Sequence, residues 1–275
     1  MSGWLKRIKE VVQLVSLLKK KKTAAEIVAA SRAENKITAQ ELIDGIFSNF
    51  MEFHGDRASG DDAAIIGGIA EFNGQMVTVI ATDKGVSVDE RIKKHFGSPQ
   101  PSGYRKSLRL MKQAEKFKRP VITFINTSGA YPGKSAEESG QGEAIARNLL
   151  EISNLKVPVI AIIYGEAGSG GALALACGDE VWMLENSMYS VLSPEGFASI
   201  LWKDGSRSDE AAEVMKLTPQ ALFDQNVIEG IIPESSSNKK TCKEIAAVLE
   251  KRLHLLQSRK PHDLVKQRQA RFRKF

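Results

Sequence analysis

Two segments of this chain share one pattern, and that pattern restricts the fold more than any other feature. "PVITFINTSGAYPG" (120–133) and "VPVIAIIYGEAGSGG" (157–171) each run from an unbroken apolar strand into a glycine-rich loop, and a helical stretch follows each. The runs "VITFI" and "VIAII" lack polar alternation, so both faces of their sheet must be covered. Helices between successive strands make those strands parallel through right-handed crossovers. Neighbouring parallel strands then bring both glycine loops to one carboxyl edge, where α/β sheets hold their ligands. The expected class is therefore α/β, with one core and helical ends.

The rest of the chain fits around these two units. Residues 1–52 read as helices, ending in "ITAQELIDGIFSNFMEF", where Thr38 and Glu41 form a capping box and Leu42, Ile46 and Phe50 a helical ladder. A hairpin turns at Asn73-Gly74, between two strand-like runs. Residues 86–104 read as a loop, and the helix "YRKSLRLMKQAEKFKR" stops before Pro120. "AEESGQGEAIARNLLEISNL" reads as one helix, short strands follow in 180–196, helical segments fill 196–226, and 236–275 reads as a long basic helix with a break near Pro261. The expected domain is single: a lead-in 1–52, a core 53–235 and a C-terminal helix 236–275.

Charge and cysteine usage narrow the function classes. The net charge of +6 is concentrated: residues 1–22 carry seven Lys/Arg against Glu10, residues 84–119 eleven against three acidic, and residues 250–275 nine against two. Such patches suit anionic partners, but no helix-turn-helix, zinc-finger or aromatic RNP pattern accompanies them, so nucleic acid is not expected. Cys177 and Cys242 stand 65 residues apart, which suits neither a disulfide framework nor a zinc site. A reduced, cytoplasmic protein without a metal of its own is expected. Trp4, Leu5, Ile8, Val11, Val12, Val15 and Leu18 fall on one helical face with lysines opposite, and the apolar run is too short to span a bilayer.

Within "GEAGSGG" three chemistries compete. Ser169 as a nucleophile lacks Gly-x-Ser-x-Gly, because Ala167 stands two residues before it; a ClpP-like serine peptidase tolerates that but still needs a base. His54, His95, His254 and His262 include none at a downstream strand end. Phosphate cradling lacks both the P-loop lysine and the Gly-x-Gly-x-x-Gly spacing. The third chemistry uses the backbone: Gly168, Gly170 and Gly171 precede a helix, so free N–H groups point into the loop mouth with the helix dipole behind them. A second donor near Gly129 and Ala130 would complete an oxyanion hole. Glycine loops that serve only as tight turns remain the competing interpretation at this point.

"FHGDRASGDDAAIIGGIA", "HFGSPQPSGYRKSLRLMKQAEKFKRPVITFINTSGAYPG", "AEESGQGEAIARNL", "GEAGSGGALALACGDEVWMLENSMYSVLSPEGFASILW" and "IIPE", in this order, resemble the α subunits of bacterial acetyl-CoA carboxylase carboxyltransferases. The resemblance runs from about residue 38 to 234. It departs at Ser128, where the family usually has proline, and at Ala167, where it often has glycine. It implies a crotonase-like (ClpP/crotonase) spiral of β-β-α units and transfer of a carboxyl group from carboxybiotin, on its biotin carboxyl carrier protein, to acetyl-CoA. The product is malonyl-CoA, for fatty acid synthesis. It also implies a β subunit that carries the zinc, an α2β2 assembly, and a biotin carboxylase in the full complex.

On that resemblance, N–H groups of Gly170, Gly171, Gly129 and Ala130 stabilise an oxyanion. Gly168, Ser169, Tyr131, Pro132 and Gly133 shape the substrate pocket. Lys84, Arg91, Arg105 and Lys106 are candidate contacts for coenzyme A phosphates or the carrier, although a solvated helix face explains them equally well. An acyl-CoA hydratase or isomerase of the same fold is the alternative, and it would need a positioned carboxylate such as Glu166 or Glu138.

Overall fold

A computed structural model describes residues 22–275; the amphipathic N-terminal segment read from residues 4–18 lies outside them. Eight strands form one sheet: β1 Ser48–Glu52, β2 Ile65–Phe72, β3 Gln75–Thr82, β4 Val121–Thr127, β5 Val159–Gly168, β6 Glu180–Leu184, β7 Met188–Ser190 and β8 Gly230–Ile232. The helices are α1 Ala24–Ser31, α2 Ala39–Ile46, α3 Val88–Lys93, α4 Pro101–Lys116, α5 Lys134–Glu138, α6 Gln141–Asn154, α7 Ser169–Ala176, α8 Pro194–Phe197, α9 Ser208–Val214, α10 Pro219–Asp224, α11 Asn238–Gln257 and α12 Pro261–Phe272. β1, β2 and β3 pair antiparallel through the Asn73-Gly74 hairpin, and β3, β4, β5, β6 and β8 then run parallel. β7 pairs with the last residues of β5, Glu166 to Gly168.

β4 and β5 are buried along their whole length, as unbroken apolar strands under two helical layers must be. Ile160, Ile162 and Tyr164 point to a core shared with Leu42 of α2 and Leu249 of α11. Ala161, Ile163 and Ala167 point to the opposite core, with Leu110 of α4, Ile152 of α6 and Leu175 of α7. Truncating any of these buried isoleucines to alanine should cost about 2–5 kcal/mol.

Three local expectations are corrected. The helix read through residue 53 ends at Ile46; Phe47 turns extended, and β1 pairs with β2 instead. Phe47 is buried beside Phe72 (ring centroids 5.7 Å) and Phe124 (6.1 Å), so tertiary packing overrides the local i, i+4 ladder. The stretch 86–104 is not all loop: Ser87 and Glu90 form a capping box that starts α3, and Pro101 opens α4. Gly140, at φ +84°, divides the helix read over 136–155 into α5 and α6. The break before Pro261 is where the sequence placed it, between α11 and α12.

The basic C-terminal segment is also less free than its charge suggests. Arg268 is buried, donating to the carbonyls of Ile152 (2.6 Å), Leu155 (2.8 Å) and Val157 (2.9 Å) and pairing with Asp179 (2.7 Å). Arg252 reaches Glu180 (2.8 Å) and Arg271 reaches Glu229 (2.9 Å). These arginines fasten α11 and α12 to the sheet rather than offering a patch to an anionic partner. No helix among the described residues is long and apolar enough to cross a membrane.

Candidate functional site

The carboxyl ends of β4 and β5 are adjacent, with Thr127 opposite Ala167, so the two glycine loops touch. The register shifts between Ile125 and Thr127, and the Asn126 side chain spans the irregularity: its Oδ1 accepts from Glu166 N–H at 3.0 Å. A Cβ on Gly165 would lie 2.3 Å from that oxygen. The first glycine of "GEAGSGG" therefore makes room for an asparagine and has a packing role.

Gly168 ends β5 in an extended conformation and leads into α7 without a side-chain cap. A Cβ there would fall 2.0 Å from Ser128 O, so only glycine lets the two loop backbones come this close. A Cβ on Gly171 would fall 2.3 Å from Ala130 N and 2.7 Å from Gly129 C. The first N–H groups of α7 have no intrahelical acceptor, and Gly171 in that first turn lies against the Ala130 amide. The N–H of Ala130 and those of Gly170 and Gly171 thus belong to one small region with the positive end of α7 behind it. Gly170 is unconstrained by contrast, since a Cβ there would make an ordinary van der Waals contact with Ile145 Cγ2 at 3.7 Å.

One expected donor is committed elsewhere. Gly129 N–H donates to Thr127 Oγ1 at 3.1 Å, and that hydroxyl donates to Gly129 O at 2.8 Å. Gly129, at φ +143°, shapes the turn, which leaves Ala130 as the expected donor of that loop whose N–H is not bonded to Thr127. Ser169 is exposed and sits at φ +53°, a left-handed conformation that serves to start α7.

Side chains hold the loop after β4. Tyr131 N–H donates to Pro99 O at 3.0 Å, and its ring stacks on His95 with centroids 4.4 Å apart. The buried Gln141 amide donates to Pro99 O (2.9 Å) and Tyr131 O (3.1 Å). Pro132 is exposed and Gly133 lies against the edge of the Tyr131 ring.

A cavity of about 340 Å³ opens beside Ser128 on the Tyr164 face of the sheet, lined among others by Arg32, Lys84, Asn126, Tyr164 and Glu166. Glu166 is almost fully buried there, yet it pairs with Lys84 and, at 2.6 Å, with Arg32, which continues to Glu195 at 2.7 Å. Burial would raise the Glu166 pKa, but the two cations prevail and hold it below the usual carboxylate range. An ionised carboxylate gripped at both oxygens is a poor proton shuttle. Glu138, the other carboxylate considered for hydratase chemistry, is exposed on α5 beside Lys134.

The four basic candidates separate. Lys84 and Arg91 line the cavity. Arg105 is turned to Asp56 (2.9 Å) and Ser59 (2.8 Å). Lys106 is buried, donating to Ile65 O at 2.8 Å and pairing with Asp61 at 2.9 Å, and is closed to an external phosphate. Sequence reasoning did not single out Thr127, Asn126, Gln141, Arg32 or Tyr104. Asn126, Gln141 and Arg32 meet partners distant in the chain, the Tyr104 hydroxyl meets none, and only Thr127, two residues before Gly129, offered a local signal.

Comparison with known proteins places this chain among carboxyltransferases. The family model described as acetyl co-enzyme A carboxylase carboxyltransferase-like matches residues 5–275. The acetyl-coenzyme A carboxylase carboxyl transferase subunit alpha of Streptococcus sanguinis (strain SK36) is 58% identical over 252 residues, 90% of this chain and 98% of that protein. Its counterpart in Streptococcus pneumoniae (strain Hungary19A-6) is 55% identical, over 91% and 99%. Among solved structures, transcarboxylase 12S with methylmalonyl-coenzyme A and methylmalonic acid bound superposes with a TM-score of 0.67 at 19% identity, over 83% of this chain and 44% of that one. The β subunit of Pseudomonas aeruginosa geranyl-CoA carboxylase gives 0.62 at 15%, over 89% and 49%. Identity this low speaks for a shared fold alone, the crotonase-like α/β fold expected from the sequence.

Proposed function

This chain belongs to the acetyl co-enzyme A carboxylase carboxyltransferase family, and on that premise we propose that it acts as the α subunit of the transferase, supplying the biotin half of an active site completed by a β subunit. As the N–CO2 bond of carboxybiotin breaks, its electron pair returns to the ureido group and negative charge grows on the ureido oxygen. The N–H groups of Ala130, Gly170 and Gly171 stabilise that charge, each donor contributing about 3–4 kcal/mol to the transition state. The freed ureido nitrogen then takes a proton from the acetyl methyl group. The resulting enolate carbon attacks CO2, giving malonyl-CoA. No protein base is required, in keeping with the ion pairing of Glu166, the buried carboxylate at the end of β5.

The observation that carries this reading is the Gly171–Ala130 approach: a methyl group on Gly171 would stand 2.3 Å from the amide nitrogen it serves beside. In this reading the biotin carboxyl carrier protein delivers the substrate, the zinc belongs to the β subunit, and the assembly is a cytoplasmic α2β2 unit working with biotin carboxylase in fatty acid synthesis. On this reading residues 53–235 are the transferase core, and among the described residues 22–52 and 236–275 pack onto it. The test mixes the purified chain with a β subunit, the biotinylated carrier and malonyl-CoA, and follows acetyl-CoA. No turnover, where a known pair turns over under the same conditions, would sink the reading.

A further inference from the structure

Among the described residues, three buried side-chain polar atoms have no hydrogen-bond partner: Tyr104 Oη, Gln141 Oε1 and Asn148 Oδ1. All three lie on the seam of α4 and α6 that backs the glycine loops. Gln141 and Asn148 still use their amide nitrogens, the latter toward Ala174 O at 3.3 Å. The Tyr104 side chain alone makes no hydrogen bond, and the charge that acts on it is the buried Asp62 carboxylate. The tyrosine is fully buried, packed with Ala144 and Ala174 and against Ala130 and Ile145. Burial raises its pKa, so the hydroxyl stays protonated and remains a donor.

Packing accounts for the ring and leaves the oxygen unexplained, because phenylalanine would fill the same apolar space without an orphaned hydroxyl. The position of that oxygen is informative. The point where a Gly171 Cβ would stand is 2.8 Å from Tyr104 Oη, 2.7 Å from Gly129 C and 2.3 Å from Ala130 N. The hydroxyl and the Gly129–Ala130 peptide therefore border the same notch, the one that Gly171 leaves empty. That peptide carries the N–H assigned to the oxyanion, and its carbonyl, bonded to Thr127, keeps a second lone pair.

We propose that Tyr104 is a positioning residue of the two-loop anion site, donating its hydroxyl to the Gly129–Ala130 peptide when substrate and partner chain are bound. The bond would fix the peptide plane so that Ala130 N–H meets the same oxygen as the first N–H groups of α7. By drawing on the carbonyl, it would also polarise the amide and strengthen the N–H as a donor. Tyr104 does not touch the reacting atoms, and its role rests on the carboxyl-transfer reading above.

The experiment compares unsubstituted and Tyr104→Phe chains, each assembled with the same β subunit, in steady-state carboxyl transfer and in thermal unfolding. The expected result is a kcat lower by about 10- to 100-fold, KM values for both substrates within about twofold, and a Tm that is unchanged or higher because the variant buries no unpaired hydroxyl. A lowered Tm with unchanged kcat would reduce the hydroxyl to a fold contact and overturn the proposal, as would no change in either. Should Tyr104→Phe fail to assemble, 3-fluorotyrosine at 104 keeps the ring and makes the hydroxyl a stronger donor. A kcat shifted at least about twofold then supports the role, and an unshifted one overturns it. If the unsubstituted pair is inactive, the carboxyl-transfer reading falls and takes this inference with it. If that pair is active and the phenylalanine variant matches it, only the Tyr104 assignment falls.

Discussion

The loops that end β4 and β5 look alike in sequence, but they are held by different means. The β5 loop is held by absent atoms: at Gly168 and Gly171 a single methyl group would strike neighbouring backbone at 2.0 and 2.3 Å. The β4 loop is held by added atoms, the Thr127 hydroxyl bridging Gly129 and the Gln141 amide clasping Pro99 and Tyr131. Steric exclusion tolerates almost nothing at its contact points. A hydrogen-bonded loop loses its bonds one at a time, so the two loops should respond differently to substitution.

The largest effect is expected at Gly171. Gly171→Ala drives a methyl into Ala130 N and should lower kcat by about 10²- to 10³-fold, the range for losing one oxyanion donor, measured in carboxyl transfer with the partner chain. An alanine variant with full turnover would show the approach to be a turn constraint only. Thr127→Val removes both hydroxyl bonds of the β4 loop and should cost about tenfold in kcat with about 1–3 kcal/mol of stability; if it matched Gly171→Ala, the two loops would not differ in kind.

Glu166→Gln tests the ion network beside both loops. It leaves Lys84 and Arg32 without their shared partner, and both cations are about one-quarter to one-third exposed. The loss should be about 1–3 kcal/mol, below that of a fully buried pair. Because the folded state holds the Glu166 pKa down, its contribution is present above the unfolded carboxylate value of about 4.3 and fades as pH falls through the folded one. The variant's acid-unfolding curve should therefore be flatter below about pH 4, and an unchanged acid limb would argue against the pairing.

Gly170→Ala should change kcat by no more than about threefold, because its methyl would make only an ordinary van der Waals contact with Ile145 and alanine suits a helix. This sharpens the expectation drawn from the glycine pattern, which treated Gly170 and Gly171 as equivalent. Ser169→Ala should have the smallest effect, within about twofold in kcat; complete loss of activity would revive the nucleophile chemistry.

Much of this was legible in the residues. Unbroken apolar runs such as "VIAII" announce a sheet covered on both faces, and a helix between two of them requires parallel strands. That logic put the two glycine loops together, and β4 and β5 are neighbours with Thr127 opposite Ala167. Spacing could not show what each glycine is for. Gly165 yields to Asn126, Gly168 to Ser128 and Gly171 to Ala130 and Tyr104, while Gly170 yields to nothing. Local periodicity likewise called residues 47–52 helical, where pairing with β2 and burial of Phe47 decided for a strand.

Charge shows the same limit. The sequence counted eleven basic residues in 84–119, yet it could not tell that Lys106 lies inside and Lys84 beside a buried glutamate. Periodicity and spacing are properties of neighbours along the chain, so they determined the strands, the crossovers and the edge at which chemistry could occur. Which glycine makes room for a side chain and which cation is spent depend on atoms 40 to 134 residues away, and only the packed structure brings those within hydrogen-bond distance.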